Sequence, residues 1–316
     1  MRAGRRAACG AILGGLGALL ACRQAEAQQL AFEKIKRSGG DLLTWRWRSG
    51  EGREFNTSFN LSSEAIAEAE AAFRDFNMDT MWTRLEADLR AEAERSGQGL
   101  QVKLTRSRDG IHWSISGNNQ VAVDRLAAAL KERQEIGLKS YLARYQRMRV
   151  DTRVLVDFAA ATTALQRSMR PVARALAATP DIASIDRARI ALALGFFQQI
   201  PYVQLEDKGR RGGDFLPAPA LLAQNRGDCD SKGVALAAVL RSYTPGRKLV
   251  MVTMPGHAIL AVDLPSTPSD VAIRSDGRQY VALEVAGPAM AAVGQVATTT
   301  ARLLKEGREV EIWPLD

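Results

Sequence analysis

The chain has 316 residues, 46% hydrophobic, with a net charge of +8, and that length and composition permit an ordinary hydrophobic core. The charge is spread along the chain with no recognition motif beside it, so nucleic-acid binding is not indicated. Two histidines, with no His-Glu-x-x-His and no cysteine pair at ligand spacing, give a protein-only zinc site no support, and no metal or organic cofactor is expected.

Residues 1–27 read as an export signal. Arg2, Arg5 and Arg6 form a basic start, and Ala7 to Ala21 is an apolar run of 15 residues, short for a membrane span and suited to a signal sequence. Two cleavage sites stand as alternatives. Ala25-Glu26-Ala27 would release a soluble protein beginning at Gln28, the preferred form. Leu19-Leu20-Ala21-Cys22 is similar to a bacterial lipobox and would leave a lipid anchor at Cys22. Loss of residues 1–27 removes four arginines and one glutamate and leaves a charge of +5. No later run of about 18 apolar residues is present. A periplasmic location follows as the expectation. In the soluble form Cys229 is the one remaining cysteine, unusual for an exported chain.

Residues 28–150 are expected to form an α+β domain. Leu43, Trp45 and Trp47 alternate with Thr44, Arg46 and Arg48, as in a half-buried strand. Ser62-Ser63-Glu64 opens a helical stretch, and Trp82, Leu85 and Leu89 follow at helical spacing. Val102 and Leu104, then Asp109-Gly110, then Ile111, Trp113 and Ile115 predict a hairpin. His112 faces away from its apolar side and reads as a surface histidine. A further helix is expected over 121–148.

Residues 151–316 are expected to form a second domain. Val154 to Leu165 and Ile185 to Gln198 read as alanine-rich helices, with Ser184 capping the second and Pro201 stopping it. Residues 207–214 read as a flexible basic loop. In Arg226-Gly227-Asp228-Cys229-Asp230-Ser231-Lys232-Gly233, Asp228 is a natural N-cap and Cys229 sits in the first turn, where free amides favour a thiolate. Asp228 and Asp230 oppose that, so a nearby imidazolium is needed. His257 opens a β-like run, 28 residues on. Its ring needs an orienting group: Asp263 is roughly 20 Å away along the same strand, whereas Glu284, on a strand able to pair antiparallel, can lie beside it.

This order, a cysteine at a helix start, a histidine on a following strand and an acid on the strand after, resembles the transglutaminase-like superfamily of papain-type thiol enzymes, and bacterial envelope cysteine proteinases within it. The carriers are Phe196-Phe197-Gln198-Gln199-Ile200-Pro201-Tyr202, Arg226 to Lys232, Gly256-His257-Ala258 and Tyr280-Val281-Ala282-Leu283-Glu284, about a third of the chain. The resemblance implies a helix bearing Cys229 packed on an antiparallel sheet, with His257 as base and acid and Glu284 as orienting carboxylate. It also implies Gln198 as an oxyanion donor, with the amide of Cys229 as the second. Glutamate departs from the family's usual aspartate. Gln199 rivals Gln198, which matches the motif position. The implied activity is cleavage of peptide or protein amides in the envelope, with transamidation or a non-catalytic peptide-binding module as alternatives.

Overall fold

The N-terminal sheet is a meander of β1 (Gln28–Arg37), β2 (Gly40–Arg48) and β3 (Glu54–Ser62), antiparallel throughout. The computed structural model describes residues 28–107, 110–205, 215–287 and 290–315. Residues 1–27, read above as an export signal and containing Cys22, the loop 207–214 and Asp109 lie outside the described residues. The period of two in β2 sends Leu43, Trp45 and Trp47 into the core, all fully buried. Trp45 meets Phe59 and Phe196, the latter edge-on at 5.3 Å, and its indole donates to Asn225 Oδ1 at 2.9 Å. Burial of each such side chain contributes roughly 2–3 kcal/mol.

Ser62 caps α1 (Ser63–Asp75), its hydroxyl accepting from the amide of Ala65. Next come α2 (Met78–Ser96), the hairpin β4 (Gln101–Arg106) and β5 (Ile111–Ser116), and α3 (Gln120–Arg144). Trp82, Leu85 and Leu89 of α2 join Leu126 and Leu130 of α3 in a cluster of their own. His112 is exposed and bonds Ser107 Oγ at 2.9 Å.

The stretch expected as a helix from Val154 begins as a strand. A hairpin of β6 (Arg147–Val150) and β7 (Arg153–Val156) precedes α4 (Phe158–Ala177), which Asp157 caps. Val154, Leu155 and Val156 form a short apolar run, which periodicity cannot assign to helix or strand. The next helix, α5 (Asp186–Gln198), starts after Ile185 with no side-chain cap, so Ser184 does not serve. α6 (Ala218–Gln224) and α7 (Cys229–Tyr243) follow.

The second sheet is antiparallel with order β10-β11-β9-β8-β12, made of β8 (Leu249–Met254), β9 (His257–Val262), β10 (Ala272–Ser275), β11 (Arg278–Leu283) and β12 (Glu311–Pro314). Alternate residues serve opposite faces. Met251, Leu260 and Leu283 meet the helical core, while Val252, Ile259 and Ala282 meet Leu303 and Leu304 of α8 (Thr298–Glu306). With both faces covered, β8 and β9 read as unbroken apolar runs rather than alternating ones. α7 lies against β8 and β9, and Gly233 permits that approach: a Cβ there would sit 2.7 Å from Met251 Cε.

The chain is thus a mixed α+β protein. Its packing does not follow the division expected near residue 150. Trp45, Phe59 and Ile66 share one core with Phe196, Leu221, Val234 and Leu260, while Phe76 to Leu142 close around the separate cluster. No helix among the described residues is long and apolar enough to cross a membrane.

Candidate active site

The head of α7 is held from several sides. Asn225, in the left-handed conformation at φ 49°, ends α6 and takes the Trp45 indole bond. Past α5 the chain runs beside the cysteine motif: the Gly227 amide donates to the Pro201 carbonyl at 3.2 Å, and the Val203 amide to Gly227 at 3.1 Å. Asp228 is the N-cap, accepting from the amide of Ser231, which also donates to Asp230 Oδ1 at 2.8 Å. The Ser231 hydroxyl in turn accepts from the amide of Leu216 at 2.9 Å.

Cys229 is a free thiol, partly exposed, in the first turn. Burial and then the charges of Asp230 and Asp228 push it up to about 12; amides of Ala258 and Asp230 directed at the sulfur oppose this. The helix start therefore does not create a standing thiolate. Asp228 is itself driven well above the usual carboxylate range by burial and by the charge and hydrogen bond of Asp230. Lys232, one turn further on, is fully buried, and its Nζ donates to the carbonyl of Ile200. Burial brings its ammonium down to about 7, opposed by Asp228 and Cys229.

His257 follows the turn at Pro255-Gly256, where Gly256 adopts φ +70° and so permits the tight reversal from β8 into β9. Its Nε2 meets Glu284 Oε1 at 2.7 Å. An ionised carboxylate only accepts, so Nε2 carries a proton toward Glu284, and in the neutral ring Nδ1 keeps its lone pair. Glu284 stands just past β11, next to β9 in the sheet, and is buried. Its second oxygen accepts from Thr300 Oγ1 of α8 at 2.8 Å and from the amide of Ala297 at 3.5 Å. Both oxygens of this carboxylate are therefore directed. Asp263, at the far end of β9, instead accepts from the amide of Lys248 at 2.7 Å.

Cys229 and His257 come together through the backbone: the amide pointing at the sulfur belongs to Ala258, the residue after the histidine. No hydrogen bond among the described residues joins the thiol to the ring. The two glutamines differ sharply. Gln198 is 2% exposed, and its Nε2 donates to the carbonyls of Glu284 and Ala291, at 2.7 and 2.9 Å. Both amide hydrogens are thereby committed, so Gln198 holds the Glu284 backbone in place and has no hydrogen left for an oxyanion. Gln199, equally buried, has no partner for either amide atom among the described residues.

Three contributors went unseen in the sequence. Thr300 and the Ala258 amide carry no local signal. Lys232 does carry one, because it lies three residues after Cys229 and hence on the same helical face. His112 lies elsewhere, lining an open cavity of about 340 Å³ with Trp113, Gln134 and Arg149. No group of three or more histidine, cysteine or acidic residues among the described residues could hold a metal ion. Comparison with protein-family models, curated proteins and solved structures gives no match, so the site is known by its own geometry.

Proposed function

We propose that the chain is an exported thiol enzyme with a transglutaminase-like core, cleaving amide bonds of peptides or proteins in the cell envelope. The observation that carries this is the His257–Glu284 pair at 2.7 Å, set beside a cysteine whose sulfur faces the next backbone amide along β9. A directed imidazole with a free Nδ1, next to a helix-start thiol, is the arrangement nucleophilic acyl transfer requires. The fold supports the same reading, since α7 with Cys229 lies against the antiparallel sheet that carries His257, with Glu284 just past its neighbouring strand. Export rests on the character of residues 1–27.

The thiol is neutral at rest, so the nucleophile forms during the reaction. Sγ attacks the carbonyl carbon of the substrate while its proton passes to His257 Nδ1. The oxyanion is met by first-turn amides of α7, which lack intrahelical acceptors, the amide of Cys229 among them. Gln199 is the side chain available to assist, because its carboxamide is uncommitted. The imidazolium then gives its proton to the leaving nitrogen as the C–N bond breaks, leaving a thioester and a free amine. Water attacks the thioester, returning the proton to sulfur through His257; an amine in place of water gives transamidation. Glu284 stabilises the imidazolium throughout. The steps need no metal or organic cofactor.

A second reading, a non-catalytic peptide-binding module of the same fold, is favoured by the absence of a bond between the thiol and the imidazole. Trapping separates the two. Wild-type and Cys229→Ala proteins are incubated with envelope extracts, and the enzyme reading expects loss or cleavage of a specific protein in the wild-type sample alone. Extracts that remain identical overturn it.

A further inference from the structure

Lys232 stands out among the buried groups that the proposed chemistry leaves without a role. It is the only lysine or arginine among the described residues whose side chain is completely removed from solvent, at 0% exposure. A buried ammonium is costly unless charge and hydrogen bonds compensate it. Its one hydrogen-bond acceptor among the described residues is the neutral carbonyl of Ile200. No carboxylate among the described residues lies within ion-pair distance of it. The charges that act on it are those of Asp228 and Cys229.

The ionisable groups that act on it are Asp228 and Cys229, with Asp230 beside them at the head of α7 and Arg226 just before Gly227, which lies against the lysine stem. The end of α5 brings only the amides of Gln198 and Gln199, and neither α6 nor β8 carries a charged residue. A tie between the end of α5 and α7 could be made by any buried donor. The positive charge is what a neutral donor would lack, and it lies one helical turn from the sulfur.

We infer that Lys232 is a positioning residue for the thiol: its buried ammonium supplies the positive field that offsets burial and the charge of Asp230 as negative charge builds on Cys229. This rests on the thiol reading above. The helix start alone cannot provide the field, because burial and then the neighbouring aspartates oppose a charge on the sulfur. A cation approaching from the buried side restores the balance without exposing the sulfur to solvent.

The test is the rate of alkylation of Cys229 by iodoacetamide from pH 6 to pH 9, for wild type, Lys232→Met, Lys232→Gln, Asp228→Asn and His257→Ala, with thermal melts to confirm folding. Lys232→Gln keeps a donor for the Ile200 carbonyl and serves if Lys232→Met does not fold. Loss of the charge is expected to slow alkylation at pH 6 at least about tenfold, one unit in the thiol, with the difference narrowing above pH 7 as the wild-type amine loses its proton. Asp228→Asn is expected to accelerate it toward pH 9, where the raised carboxyl becomes charged. A folded Lys232 variant that alkylates at the wild-type rate at pH 6 overturns the inference. His257→Ala separates the two claims: if it leaves the rate unchanged while the Lys232 variants slow it, the triad falls and the lysine field stands.

Discussion

Glu92 in α2 and Asp228 at the head of α7 have nearly equal solvent exposure, at 8% and 7%, but Asp228 lies much deeper among protein atoms, and their carboxyls move in opposite directions. Glu92 accepts from the Ser96 hydroxyl at 2.7 Å and pairs with Arg95, and the hydroxyl bond foremost holds it below the usual carboxylate range. Asp228 has backbone support from Ser231, but its neighbour is Asp230, and burial drives it up. In α2 the shielded charge has an opposite partner on its own helix. At the head of α7, two aspartates and a buried lysine lie within one helical turn of the cysteine. Groups perturbed in this second manner are the kind that the proposed chemistry would use, whereas the first manner serves the fold alone.

The contrast extends to the adjacent glutamines and can be broken there first. Gln198→Leu leaves the Glu284 and Ala291 carbonyls without their donor, and the expected cost is about 3 kcal/mol in urea denaturation. A cost below about 1 kcal/mol would show that these bonds do not hold Glu284.

The two carboxylates come next. The folded-state value of Asp228 lies above its unfolded value of about 3.9, so the stability it contributes is complete below about pH 4 and is lost as pH rises. Asp228→Asn, which keeps the cap, is therefore expected to gain on wild type by roughly 1–2 kcal/mol between pH 4 and pH 8. Glu92 is lowered, so its contribution is present above about pH 4.3 and is lost as pH falls; Glu92→Gln should show the opposite trend and remain below about 1 kcal/mol. Parallel pH trends in the two variants would erase the comparison.

The smallest effect is expected at Gln199. Replacing an unpartnered buried carboxamide by leucine removes a polar group that gains nothing from the fold, so Gln199→Leu is expected to change stability by no more than about 1 kcal/mol, in the stabilising direction. It should still reduce turnover once a substrate is known. A loss as large as that of Gln198→Leu would mean that Gln199 is bonded after all.

Much of the molecule is legible from its residues alone. The alternation of Leu43, Trp45 and Trp47, the cap at Asp228 and the β-like run from His257 depend on near neighbours and on period. The mixed α+β class rests on the same signals. The features beyond reading depend on distant partners. Val154 to Val156 is a strand because Arg147 to Val150 pairs with it. Gln198 and Gln199 are chemically identical, and only the carbonyls of Glu284 and Ala291 distinguish them. A lysine in a polar motif ordinarily points to water; that Lys232 does not is decided by the helices and sheet closing over it. The boundary near residue 150 reflects a change of composition, whereas the core is set by which apolar faces meet.

That core has a consequence for how the molecule can be divided. The indole of Trp45 bonds Asn225, four residues before the cysteine, and the ring rests edge-on against Phe196, two residues before Gln198. A chain cut at residue 150 would lose this brace along with the sheet that carries it. The meander of β1, β2 and β3 is thus no detachable appendage to the segments that carry Cys229 and Gln198. It forms one wall of their foundation, and changes on either side of the wall must be matched by changes on the other.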